Sequence, residues 1–102
     1  SANHAVVAQK VLMLTAVAKD EATAQADSGK LREATVTLEK QKAQLEAVYS
    51  QAPAAEQRQL RLEADNLQKF NGALSRGDYD SATRKEVQSQ SYNTRNSKST
   101  SP

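Results

Sequence analysis

A chain of 102 residues has room for one small domain and no more. Only 37% of it is hydrophobic and 4% aromatic, and much of the apolar share is alanine, which buries little area per residue. Fourteen basic against 12 acidic side chains leave a net charge of +2. Together these exclude a thick self-sufficient core and favour two or three long helices sharing a thin seam, with a partner able to complete the burial.

The charges do not make a basic footprint. Acids and bases alternate, as in Glu56, Arg58, Arg61, Glu63, Asp65 and Lys69, which is the pattern of a solvated helix surface. The absence of cysteine removes disulfides and thiolate metal sites and leaves the compartment open. No apolar stretch approaches the roughly 20 residues that span a bilayer. The longest, residues 11–18, is interrupted by Thr15.

The first predicted helix covers about 2–26. It lacks Gly and Pro, and Ala is the best helix former. Val7, Val11, Leu14 and Ala18 follow at steps of three and four, which predicts one inward face, widened by Val6, Met13, Val17 and Ala24. Asp27, Ser28 and Gly29 close it, Gly29 being free to take the left-handed conformation that ends helices.

The second helix is expected over 30–51. Leu31, Leu38 and Leu45 recur every seven residues, with Ala34, Gln41 and Val48 at the complementary heptad position. Pro53 has no backbone N–H and disfavours helix at Ala52, so the helix should stop just before it. The third helix is expected over 54–74, where Leu60, Leu67 and Leu74 repeat the spacing, Ala64 and Asn71 lie between, and Leu62 and Phe70 extend the apolar surface. Gly72 signals fraying or the close approach of a neighbouring helix. A weaker fourth helix follows over 79–92, with Tyr79, Ala82 and Val87 as its apolar positions. Residues 93–102 read as a polar, flexible tail. Gly29, Leu31 and Ala34 share their relative spacing with Gly77, Tyr79 and Ala82, a pattern that fits either a duplicated helix-turn-helix unit or chance.

Gly77, Asp78, Tyr79, Asp80, Ser81 and Ala82 form a stretch that resembles the turn of a tetratricopeptide repeat. The helix before Pro53 is too long for that repeat, and its large aromatic positions are missing. A broader pattern runs through an Ala-rich helix, Ala26-Asp27-Ser28-Gly29, a Leu-rich helix and a further helix. Arg76-Gly77-Asp78-Tyr79, Ala82-x-Arg84-Lys85 and Ser91-Tyr92-Asn93-x-Arg95 follow. It is similar to the helical C-terminal region of some bacterial proteins with a von Willebrand factor type A domain. That resemblance implies a fragment of a larger protein. The metal-binding Asp-x-Ser-x-Ser motif would lie upstream, and no metal ligand carries over to this chain.

No residue constellation points to chemistry. His4 has no partner at ligand spacing, and Asp20, Glu21 and Asp27 diverge on a helix where a hard cation needs converging oxygens. No nucleophile elbow or phosphate-cradling glycine loop occurs. Arg76-Gly77-Asp78 spells an integrin-recognition tripeptide but reads first as a helix stop. Tyr49, Phe70, Tyr79 and Tyr92 lie too far apart for a base-stacking platform and suit helix-end packing.

The expectation is therefore an all-α chain. Three long helices and a short fourth form antiparallel hairpins in a helical module over 1–92. Its expected role is protein–protein interaction or oligomerisation, with no catalysis, cofactor or metal. The expected interaction seam is Leu31, Leu38, Leu45, Val48, Leu60, Leu67 and Leu74, and the expected partner is a protein or a second copy in a homodimer. A nucleic-acid alternative rests on Arg84, Lys85, Arg95 and Lys98. A membrane-surface alternative rests on the first helix and lacks the flanking aromatics and basic stripe it needs.

Overall fold

A computed structural model describes residues 2–77. Among them are three helices: α1 (Ala2–Asp27), α2 (Leu31–Tyr49) and α3 (Ala54–Arg76), with no strand. They pack into one bundle in which α2 touches both neighbours extensively and α1 meets α3 more sparingly. The expected fourth helix over 79–92 and the tail over 93–102 lie outside the described residues.

The helix boundaries follow from backbone hydrogen-bond accounting. At the end of α1, Gly29 takes φ 80°. Its N–H donates to the Ala26 carbonyl at 3.0 Å, and the Lys30 N–H donates to the Gln25 carbonyl at 2.8 Å. This paired closure is the Schellman arrangement, which satisfies carbonyls that the helix itself leaves open. Gly77 closes α3 in the same left-handed region, with φ 76° and its N–H directed to Ala73 and Leu74. The helix accordingly runs two residues past the expected Leu74.

The second helix stops at Tyr49, earlier than the expected Gln51. In a continuing helix the Tyr49 carbonyl would accept from the N–H of residue 53, and a proline has none. That carbonyl instead accepts from the Ala52 N–H at 3.2 Å and from Gln57 Nε2 at 2.9 Å. Pro53 then sits extended ahead of α3, and its own carbonyl accepts the first bond of that helix from Gln57 N.

The core is a single cluster. α2 supplies Ala34, Leu38 and Leu45; α3 supplies Leu60, Leu67, Phe70 and Leu74; α1 supplies Ala8, Val11, Leu12 and Ala22. Two expectations about apolar surface are corrected here. Leu62 points away from the core that Phe70 joins, being 60% exposed. The inward face of α1 is not the expected one. Val11 and Ala18 are buried, whereas Val6, Val7, Met13, Leu14, Val17 and Ala24 are exposed. The residues facing inward are Ala8, Leu12, Thr15, Ala16, Lys19, Ala22 and Thr23, together with Val11 and Ala18. Small side chains make up much of that face, and Val6, Val7, Met13, Leu14 and Val17 are left on the far side. Gly72 is corrected too: it lies within α3, and among the described residues a methyl group there would meet the side chain of Arg76, 3.0 Å from Nη1, and no neighbouring helix.

Candidate interaction surface

Five of the seven expected seam leucines and valines are interior. Leu38, Leu45, Leu60, Leu67 and Leu74 are buried against one another and against α1. Val48 is partly buried at the edge of that cluster, and Leu31, in the first turn of α2, is exposed. At these five positions the leucine repeat joins helices within the chain.

Beside the leucines runs a line of buried polar groups. Lys19 is 1% exposed and Glu63 is 6% exposed, and the Lys19 ammonium donates to Glu63 Oε1 across the α1–α3 contact. The four-carbon stem of Lys19 is itself packing material, so the side chain fills space between helices while its charge is neutralised at the tip. Between α1 and α2, Gln41 Nε2 donates to the Val11 carbonyl at 3.2 Å and to Thr15 Oγ1 at 3.0 Å. The Thr15 and Thr23 hydroxyls donate back to the carbonyls of Val11 and Lys19. These bonds satisfy groups that would be costly to bury unpaired. Glu63 has a sequence signal that is easily passed over. It falls at the heptad step between Leu60 and Leu67, as Phe70 does between Leu67 and Leu74.

The exposed apolar surface is concentrated on α1. Val6, Val7, Met13, Leu14 and Val17 lie between 44% and 65% exposed on the side of the helix opposite its core face. Leu14, Val17 and Glu21 form one wall of an open groove of about 330 Å³, with Val36 and Lys40 of α2 on the other. Val36 is itself 41% exposed, which extends the apolar strip across the groove floor.

The remaining candidates resolve into structure. Tyr49 ends α2 half-buried, with the Arg61 guanidinium 5.4 Å from its ring centroid and Arg61 Nη2 donating to its hydroxyl. Arg76 and Gly77 are the last residue and the cap of α3. Asp78, and with it the completed tripeptide and the tetratricopeptide-like turn, lies outside the described residues. So do Arg84, Lys85, Arg95 and Lys98. His4 is exposed near the start of α1. Among the described residues no group of three His, Cys, Asp or Glu side chains is placed to hold a metal ion. No described helix is long and apolar enough to cross a membrane. No protein-family model, curated protein or solved structure matches this chain. The functional reading accordingly rests on the chain's own surface.

Proposed function

We propose that the chain is a protein–protein interaction or oligomerisation module with no catalytic chemistry of its own. The observation that carries this reading is the inversion of α1. A helix that buries Thr15, Lys19 and Thr23 while leaving Val6, Val7, Met13, Leu14 and Val17 in water has most of its larger apolar side chains free. Contiguous exposed apolar surface of this kind marks interfaces in soluble proteins.

The hairpin arrangement belongs to the same proposal. Thr37 bonds Gln25 and Gln41 bonds Thr15, so partners on α1 fall in number as those on α2 rise. Gln57 reaches Tyr49 and Gln68 meets Lys42 in the same sense between α2 and α3. Antiparallel neighbours joined by short turns account for both series. A short fourth helix over 79–92 extends the module. A chain truncated after Gly77 should lose helical ellipticity per molecule, and an unchanged signal overturns the fourth helix.

The interaction itself is tested with a photoreactive residue at position 14 in the full-length protein, expressed in its source cells. Adducts with protein are expected at position 14 and not at position 69, an exposed site on α3. Adducts with lipid alone, or none, overturn the reading. The resemblance to the helical region that follows a von Willebrand type A domain supplies a context in which this module is one part of a larger protein. The complete reading frame tests it. An upstream α/β domain bearing Asp-x-Ser-x-Ser supports that context, and its absence removes it.

A further inference from the structure

We propose that the outward face of α1 pairs with the same face of a second copy of this chain, in an antiparallel two-fold arrangement that sets Lys10 of each copy against Glu21 of the other. The proposal rests on the interaction reading above and names its partner.

The outward residues form a regular seam. Val7, Lys10, Leu14, Val17, Glu21 and Ala24 follow at alternating steps of three and four, and all six are exposed. This is the spacing by which one helix presents a continuous stripe to another. The stripe is balanced about its centre. Lys10 stands four residues before Leu14, and Glu21 stands four residues after Val17. A two-fold axis between positions 15 and 16 therefore brings Leu14 onto Val17 of the second copy, Val7 onto its Ala24 and Lys10 onto its Glu21. Each pairing occurs twice, as an isologous interface requires.

Charge selects this arrangement over its rivals. Parallel pairing of the same faces would set Lys10 on Lys10 and Glu21 on Glu21, which repels at both ends. A uniformly acidic or basic partner helix would match one end and oppose the other. A lipid surface favours aromatic side chains and a basic rim, and this stripe has neither. Among the described residues Glu21 accepts a long bond of 3.4 Å from Gln25 Nε2, exposed to solvent and readily exchanged for an ammonium. The pairing leaves the fold untouched, because the Lys19, Thr15 and Ala22 side of α1 remains on the core. Val36, across the groove from Leu14 and Val17, supplies a second apolar wall against the incoming helix.

Sedimentation equilibrium of the full chain at low ionic strength, from low to high micromolar concentration, should show a monomer–dimer equilibrium. Lys10→Glu and Glu21→Lys should each weaken dimerisation by about tenfold or more, since each sets like charges together twice. An equimolar mixture of the two variants should recover the association, and so should the double exchange Lys10→Glu/Glu21→Lys in one chain. Because the native chain has no cysteine, direction can be read by cross-linking. Val7→Cys and Ala24→Cys chains should form a mixed disulfide when oxidised together. Neither should link to itself, the like positions lying about 25 Å apart by helical rise. A single monomeric species at high micromolar concentration overturns the proposal, as does association indifferent to the charge variants or dominated by self-linked Val7→Cys. A monomer whose position-14 probe still captures a different protein refutes the dimer and leaves the interaction module standing.

Discussion

Along α3 the side chains that reach the core include Leu60, Leu67, Phe70 and Leu74; along α1 they include Ala8, Thr15, Ala16, Lys19, Ala22 and Thr23. The two helices lie in one bundle and are held by different physics. α3 and α2 bury large apolar area, so their attachment is non-directional and scales with the area removed from water. α1 adds to its smaller apolar side chains the Lys19–Glu63 ion pair and the Gln41 bonds, which demand a particular geometry. The difference teaches that a helix can join a core through a face that mixes small and polar side chains when the polar groups there find partners. The cost is an apolar stripe left facing water.

The sharpest way to break the comparison is to remove one half of the polar attachment. Glu63→Leu removes the carboxylate that the buried Lys19 ammonium meets and should destabilise the fold by about 3–5 kcal/mol in urea or thermal unfolding. Lys19→Met combined with Glu63→Leu should recover most of that loss, because an apolar pair of similar volume avoids the desolvation of two charges. If the double variant were as unstable as the single, the interior of α1 would not be set by charge pairing.

A second contrast separates the leucines. Leu67→Ala opens a cavity in the core cluster and should cost about 2–5 kcal/mol. Leu14→Ala, on the exposed stripe, should change the stability of the monomer by about 0.5 kcal/mol or less. Equal effects at the two positions would mean that Leu14 is packed within the chain. The smallest expected effect runs the other way. Gly72→Ala should raise stability by about 0.5–1 kcal/mol, since Ala is the better helix former and, among the described residues, the guanidinium end of Arg76 is what stands near the new methyl group. A loss of stability there would place another element against that part of α3.

These contrasts also mark what the sequence could be made to say. Helix number and boundaries over the described residues were legible because the breaks are chemical. Gly29 and Gly77 take positive φ, and Pro53 withholds an N–H from Tyr49. The α2 stripe was legible because Ala34, Leu38, Gln41 and Leu45 obey one period and are buried together. The orientation of α1 was not. Hydropathy ranks Val7, Leu14 and Val17 above Ala8, Thr15 and Lys19, and nothing local to α1 reports that a lysine has a carboxylate waiting on a helix more than 40 residues away. The clue lay on the other helix, in the charge at position 63 of an otherwise apolar repeat. The seam residues were correctly apolar, but periodicity alone does not distinguish a stripe that meets its own chain from one that meets another.

The Lys19–Glu63 pair carries a consequence for how this sequence can change over time. An axial slip of α1 by one turn, about 5.4 Å, would part the two charges, so the pair fixes one register where Ala8, Ala16 and Ala22 would tolerate several. Single replacements at either site break a buried ion pair and leave one of its charges inside, whereas joint replacement does not. Among descendants of this sequence, positions 19 and 63 should therefore be inherited as a couple: opposite charges in both, or apolar side chains in both, with mixed states rare. Positions 14 and 17, bound by no such tie among the described residues, should drift according to whatever they touch outside the chain.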